Sequence, residues 1–402
     1  MNQLHDVLII GGGLVGASLA IALDRIGMDV GLVEVTPPAT LPTVFDERNL
    51  CFAAATVNAL DALKVMARIR HAAGPIRRIH VSRTGDFGRV LLDATTYGRD
   101  DFGHVVVARD FGEALESRLT ELGQLTRYRP ARCIGLTPVT DGLRGVRIAN
   151  ADGEHLLRAR LVVGADGTHS TVRHLLHIET QEHDYCQTLF VARVQATRVP
   201  DGTAYERFTE HGPTALLPRA DRHYGAIHCV ARTEANTVAA LDETGWLTRL
   251  QHAASWRAGR FVASGTRSAY PLVQVVARRL TAERVVLLGN AAQTLHPMGA
   301  QGFNLGLRDA LTLAELITTD HTDPGATTLL TTYTSRRHTD REQTLAFSTG
   351  LARLTSNGAP LLRPLRSIGL LAASHIGGLQ ARLVSGAMGF RGEVPHLCRN
   401  NV

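Results

Sequence analysis

Val7-Leu8-Ile9-Ile10-Gly11-Gly12-Gly13-Leu14-Val15-Gly16 opens the stretch that decides how this chain folds; an alanine- and leucine-rich run to Arg25, Gly27, and Val30-Gly31-Leu32-Val33-Glu34 complete it. Four consecutive apolar residues at 7–10 predict a buried strand. The glycines then fall as Gly11-x-Gly13-x-x-Gly16. Gly11 permits a tight turn, Gly13 lets the backbone approach a pyrophosphate, and Gly16 allows a helix to pack closely on the strand. A helix through about Arg25, closed by Gly27, leads to a second buried strand at 30–33. This strand–helix–strand unit has the size of a right-handed parallel crossover. Its helix N-terminus offers free N–H groups and a positive dipole end to phosphates. Glu34 ends the second strand, where a carboxylate accepts hydrogen bonds from ribose hydroxyls. An adenine dinucleotide is expected here.

Working outward, helical patterns are expected over 54–70, over 110–122 with Asp110 as N-cap, near 234–253, and from about Phe303 to Ile317. Strands are expected near 131–135, 143–149 and 155–163, at several places between 185 and 272, and at 285–288. The fold class is therefore α/β: a Rossmann-like dinucleotide-binding domain with an inserted β-rich substrate domain and a C-terminal helical region. The expected boundaries are 1–74, 101–184 and 273–350 for the discontinuous nucleotide domain, 75–100 and 185–272 for the insertion, and 351–402 for the C-terminal part.

A chain of 402 residues with 44% hydrophobic and 20% charged residues is of globular composition. Its five cysteines are scattered, without a CxxC pair. That speaks against a disulfide framework and a cysteine-rich zinc site and for a reducing, cytoplasmic setting. The histidines lack metal-ligand spacing, so no metal is expected. No signal peptide and no apolar run long enough to span a bilayer is seen. The net charge of +6 is concentrated near the C-terminus, where Arg353, Arg363, Arg366, Arg382, Arg391 and Arg399 face a single acid, Glu393. No nucleic-acid fold accompanies it, so nucleic acid is not an expected partner. The stretch 361–390 reads either as an amphipathic surface meeting anionic lipid on the inner face of a membrane, or as a helix packed on the nucleotide domain.

Two more glycine-bearing turns follow expected strands. One is Leu161-Val162-Val163-Gly164-Ala165-Asp166-Gly167-Thr168; the other is Val285-Val286-Leu287-Leu288-Gly289-Asn290-Ala291-Ala292-Gln293-Thr294-Leu295-His296-Pro297-Met298-Gly299-Ala300-Gln301-Gly302. A simple dehydrogenase needs one phosphate turn. Three suggest a long cofactor held at several points.

In these three motifs, in this order, the sequence resembles the class A flavoprotein monooxygenases, the family of p-hydroxybenzoate hydroxylase, over roughly residues 5–345. The run 289–297, with Asn290 and Gln293 where much of the family has Asp and His, looks closest to the ubiquinone-biosynthesis branch, as does Asp46-Glu47-Arg48-Asn49. The resemblance implies FAD held by Gly11, Gly13, Gly16 and Glu34, with Arg48 and Arg109 at the pyrophosphate or flavin side. It places Asp166 and Gly167 where both FAD and the nicotinamide nucleotide touch. Asn290 falls at the ribityl or pyrophosphate portion, and Pro297 with Gly299, Ala300, Gln301 and Gly302 along the isoalloxazine ring. The family often has Gly-Gln-Gly where this chain has Ala300-Gln301-Gly302. His296 and Pro297 are the catalytic candidates, His296 as the base that ionises a phenol, though a plain packing role fits it as well.

The implied activity is an aromatic hydroxylase using NAD(P)H and O2 through a flavin C4a-hydroperoxide. The implied reaction converts 2-polyprenyl-6-methoxyphenol to 2-polyprenyl-6-methoxy-1,4-benzoquinol, with quinone-synthesis proteins as partners. The rivals are a sister hydroxylase acting on another ring position or a small aromatic acid, a halogenase or prenyl-chain reductase on the same fold, and a non-catalytic FAD-binding subunit. Trp246 and Trp256 stand too far apart for the halogenase-like segment.

Overall fold

The computed structural model describes residues 3–43, 46–69, 73–86, 88–209, 212–320, 322–356, 384–390 and 392–399. At its centre the strand Gln3–Ile10 runs parallel to Val30–Val33 on one side and Gly153–Gly164 on the other. Leu125–Tyr128 and Val285–Leu287 extend this parallel sheet outward. Val7, Leu8 and Ile9 have no exposed surface. A strand with parallel neighbours on both sides and cover over both faces must be apolar at every position, which is why 7–10 is an unbroken hydrophobic run. The three glycine-bearing segments leave the carboxyl ends of neighbouring strands, where open α/β sheets bind ligands.

A second, largely antiparallel sheet is built on the long strand Thr180–Ala196. Tyr224–Ala231, Gly212–Pro218, Thr203–Thr209, Arg78–Arg83 and Arg89–Asp93 follow on one side, and Ser268–Ala277 on the other. Side-chain alternation divides it into two faces. Phe190, Ala192, Leu216, Tyr224 and Ala226 pack beneath Trp246 and Leu250 of the helix Glu243–Ala254. The opposite face carries Ala204, Leu217 and Ile227 and packs on Cys51 and Val105. Those two residues belong to a small sheet of Asn49–Ala53, Gly103–Val107 and Gly74–Pro75.

The helix Gln301–Thr319 crosses the helix Leu14–Asp24 and is itself crossed by Thr327–Ser356. Between the last two helices lies a buried ionic network. Asp340 accepts from Arg308 Nε at 2.7 Å and Arg337 Nη2 at 2.6 Å, and Asp309 accepts from Arg337 Nε at 2.6 Å. Val384 and Met388 pack with Ala54, Val90, Leu92 and Phe102, and Cys398 belongs to the main core. The rest of the basic stretch, 357–383, lies outside the described residues, so the lipid-facing expectation falls largely there. No helix among the described residues is long and apolar enough to cross a membrane.

Several element boundaries differ from expectation. The helix read over 54–70 ends at Ala62, because Lys64 turns left-handed at φ 60° before a short 3₁₀ turn at Met66–Arg68. The helix expected from Asp110 starts at Ala108 behind Val107, and Asp110 sits inside its first turn instead of capping it. The helix near 234–253 is two, Ala235–Ala239 and Glu243–Ala254, since the Asp242 side chain accepts from Gly245 N at 2.7 Å and starts a new one.

Candidate functional site

Gly11 adopts φ 107°, and a Cβ there would lie 2.5 Å from the carbonyl oxygen of Ala165 and 2.8 Å from Cα of Asp166. The first turn is therefore pressed directly against the middle one, backbone to backbone. The helix that follows begins at Leu14 with no side-chain cap and no acid in its first turn. Its leading N–H groups are left for an external anion. Glu34 is 8% exposed, and its two oxygens accept from Gly12 N at 2.7 Å and Thr36 N at 2.8 Å. A carboxylate has about four acceptor sites, so capacity remains for hydroxyl donors.

Asp166 is occupied locally: it accepts from Ser170 Oγ at 2.5 Å and Val172 N at 3.1 Å, at the start of the short helix Thr171–Leu175. Burial raises its carboxyl above the ordinary value against these hydrogen bonds. Gly167 follows at φ 85° with open space where a Cβ would stand. The middle and late turns are tied together. Arg173 donates to the carbonyls of Ala291 at 2.9 Å and Thr168 at 2.8 Å, and the Thr168 and Thr294 hydroxyls meet at 2.9 Å. A Cβ on Gly289 or Gly306 would meet Val15 at 2.9 or 2.8 Å, which brings the late turn against the first helix. Three turns far apart in sequence thus converge.

In the late turn Asn290 is exposed within a 3₁₀ turn, Gly289–Ala291. Gly299 and Ala300 are both left-handed, at φ 73° and 51°. Alanine here holds a conformation that ordinarily favours glycine. Gln301 is 2% exposed; its Nε2 donates to Gly299 O at 2.9 Å, while its Oε1 is buried without a partner among the described residues. Gly302 has open space beside it. Asn304, for which the sequence suggested no role, holds the turn. Its Nδ2 donates to the carbonyls of Ala300 at 2.7 Å and Cys51 at 2.9 Å, and its Oδ1 accepts from Ala53 N at 3.0 Å and Thr56 Oγ1 at 2.6 Å.

Arg48 and Arg109 are neighbours, because Ala108 N donates to Arg48 O and Arg109 N to Asp46 O. Arg48 Nε bonds Asp46 at 2.8 Å and its guanidinium lies 4.8 Å from the Tyr270 ring centre; Arg109 pairs with Glu47 at 2.5 Å in an exposed bridge. Arg109 also lines a cleft of about 250 Å³ with Arg193 and Arg219. Glu47 and Asp221 balance those charges.

His296 is 2% exposed, stands edge-on to Tyr185 at 4.7 Å, and its Nε2 lies 3.4 Å from Gln187 Oε1. Burial pushes its imidazole down to about 4. It is neutral at physiological pH and a weak proton acceptor. Because the unfolded chain protonates this ring near the ordinary value of about 6.5, unfolding takes up a proton between there and about 4. Stability is therefore lost as pH falls through that window. His296→Gln should flatten this part of the acid-unfolding curve, measured by urea titration at stepped pH.

A family model described as FAD binding domain matches residues 5–348. The chain belongs to the FAD-binding-domain family. It is 33% identical over 392 residues to a protein named ubiquinone hydroxylase UbiL from Rhodospirillum rubrum, covering 96% of this chain and 90% of that one. It is 28% identical to 3-demethoxyubiquinol 3-hydroxylase of Escherichia coli, covering 96% and 99%. Among solved structures, p-nitrophenol 4-monooxygenase PnpA of Pseudomonas putida superposes with TM-score 0.80 at 18% identity, covering 98% of this chain and all of that one. This last likeness shows the fold.

The residues present fit FAD. The uncapped helix start, the residual acceptor capacity of Glu34 and the orphaned Gln301 Oε1 are groups that a pyrophosphate, a ribose and a flavin N–H would satisfy. One more acidic side chain, on the second sheet, is unusual in its surroundings, and no motif singles it out. Glu206 lies on the strand Thr203–Thr209, opposite Ala215, which is opposite Ile227, which is opposite Val191. Directly opposed residues share a face, so Glu206 stands on the one turned to Cys51. It is half-buried, with protein packed densely around it. Burial pushes its carboxyl up to about 7, and it makes no hydrogen bond or ion pair with the described residues. The signal in the sequence is alternation: Ala204, Glu206 and Phe208 put one acid between two apolar residues on a buried face.

Proposed function

We propose that the chain is an FAD-dependent hydroxylase that uses NAD(P)H and O2 to add one oxygen atom to the ring of a polyprenylated phenol in ubiquinone biosynthesis, with 2-polyprenyl-6-methoxyphenol as substrate and the 1,4-benzoquinol as product. The convergence of three turns on one end of the parallel sheet carries this reading, supported by the names of the relatives. Gly11, Gly13 and Gly16 with the helix start would hold the pyrophosphate, Glu34 the adenosine ribose, and Asn290 the ribityl side. Gly299, Ala300, Gln301 and Gly302 would lie along the ring system beside Pro297. Arg48 and Arg109 would close the flavin side, and Asp166 would fix the middle turn through Ser170 and Val172. Bound FAD supplies hydride acceptance from the nicotinamide and activation of O2.

The protein's own part is to orient the phenol and keep water out. His296 in this reading is a wall that supports Pro297. The arginines of the C-terminal stretch would bring the chain to the membrane surface where such a substrate resides. The purified chain should be yellow, should oxidise NAD(P)H faster when the phenol is added, and should give a product one oxygen atom heavier by mass spectrometry. A colourless chain, or oxidation indifferent to phenol, would rule the reading out. One relative is named for hydroxylation at position 3 of a demethoxyubiquinol, which favours a sister hydroxylase as the second reading; locating the new hydroxyl by NMR separates the two.

A further inference from the structure

We propose that Glu206 is the proton acceptor that ionises the ring hydroxyl of the phenol, an assignment that rests on the hydroxylase reading. A phenol becomes a far better target for an electrophilic oxygen once its own oxygen carries the negative charge, so a hydroxylase of this kind gains from a base beside that hydroxyl. His296, with its depressed basicity, is a poor one.

The position of Glu206 follows from strand register and packing. Its row on the sheet, with Ala215, Ile227 and Val191, is otherwise apolar, as are Ala204 and Phe208 at two residues either side. Across from this face stands Cys51, whose carbonyl is tied by Asn304 to Ala300 of the late turn. Along the face, Phe208 packs on Tyr185, whose ring meets His296 next to Pro297. Both routes lead from Glu206 to the turn that would carry the flavin ring. An apolar face with a single acid on it suits a lipophilic phenol, and Glu206 is a polar group on that face available to its hydroxyl.

The electrostatics agree with the role. Among the described residues, the Cys51 and Cys229 thiols feel the Glu206 charge, facing it from the strands Asn49–Ala53 and Tyr224–Ala231. Arg83, opposite Phe208 on the adjoining strand, stands on the same face with Asp86 as its counter-charge. Burial first and the Glu206 charge second raise Cys51 to about 12 and Cys229 further, so both thiols stay neutral. Desolvation alone accounts for the raised Glu206 value. A general base titrating near the working pH is the effective kind.

In the step itself the phenol O–H bond breaks, its electron pair stays on the ring oxygen, and the proton goes to a Glu206 carboxylate oxygen. The ring then takes one atom of O2, while the other leaves as water with the two electrons supplied by NAD(P)H. The proton on Glu206 is returned to solvent. Net turnover consumes phenol, NAD(P)H, one proton and O2, and yields quinol, oxidised nucleotide and water.

The test uses the full-length holoenzyme, Glu206→Gln and Glu206→Asp, with 2-geranyl-6-methoxyphenol in detergent micelles as probe. Across about pH 5–9 the wild-type kcat should rise with pH through about 7, because only the ionised carboxylate accepts the proton. Glu206→Gln should lose that limb and fall about 100-fold in kcat with KM within about threefold, while Glu206→Asp keeps the limb. The glutamine variant should fold and retain FAD, since it removes an uncompensated buried charge that grows costlier as pH rises through the raised value. An unchanged pH limb in Glu206→Gln overturns the assignment, and so does loss of FAD, which would make the residue structural. A wild-type chain that ignores the phenol fails earlier, before any variant is compared, and takes the hydroxylase reading with it.

Discussion

Gly11→Ala is expected to yield a chain that folds but is purified without flavin. Two effects act together at this position. Its φ of 107° is one that side-chain-bearing residues rarely adopt, at a cost of about 1–3 kcal/mol. The added Cβ would also press on the Ala165 carbonyl at 2.5 Å and on Cα of Asp166 at 2.8 Å, both rigid backbone. The first and middle turns must then separate, and with them the two ends of the FAD cradle. Binding should weaken by about 100-fold or more, equivalent to roughly 3 kcal/mol. Gly27→Ala is the control: Gly27 also has a positive φ, 78°, but nothing within 4 Å of a Cβ, and it lies past the end of the helix. It should stay yellow. Flavin absorbance per chain and urea midpoints of both variants decide the matter; a yellow Gly11→Ala protein with normal stoichiometry refutes the picture of abutting turns.

Asp340→Ala is expected to destabilise the fold by about 3–5 kcal/mol, the usual consequence of leaving a buried charge without its partner. Asp340 is 1% exposed and joins Arg308 and Arg337, which are 1% and 0% exposed. Its removal leaves two enclosed guanidinium groups with Asp309 as the remaining acid of the network. Burial by itself would raise the Asp340 carboxyl, yet Arg308 and Arg337 outweigh it and hold the group below the usual range. A depressed carboxyl contributes its stability above the unfolded value, and that contribution disappears as pH falls through the folded one. Wild type should therefore resist acid until below the ordinary carboxylate range, and the variant should lack this contribution at neutral pH. Flavin retention should fall too. Asp309 accepts from Gln293 Nε2 at 2.7 Å, and Gln293 Oε1 accepts from Arg341 Nε at 2.9 Å, so the late turn is anchored in the same network. Urea titration at neutral pH with a loss under about 1 kcal/mol would contradict the argument.

Much of the framework of the candidate site was legible because its signals are local. Val7–Ile10, the glycines 11, 13 and 16, and Glu34 predict a strand, a turn and a second strand end through composition and short spacing, and these form as read. Helix ends were less legible. Lys64 and Asp242 interrupt runs whose propensity is helical, because a left-handed residue in one case and a side-chain cap in the other outweigh propensity. Gln293 and Asn304 were visible only as letters in a motif. Their partners Asp309, Arg341, Cys51 and Thr56 lie 16 to 253 residues away.

Residue order alone determined that a βαβ unit would form with an uncapped helix start, since its backbone N–H groups are supplied by the segment itself and need no distant partner. Packing alone settled that the three turns meet, that Ala300 is held left-handed, that Asp166 is tied up by its own helix, and that His296 and Glu206 differ so widely in acidity. The physical reason is that an ionisable group answers to everything within a few ångströms of it. The half-buried Glu206 and the buried His296 are moved in opposite senses by desolvation: a carboxyl is driven up and an imidazole down because each loses favour for its charged form. Which side chains end up enclosed, and against what, is decided when strands from the two ends of the chain come together.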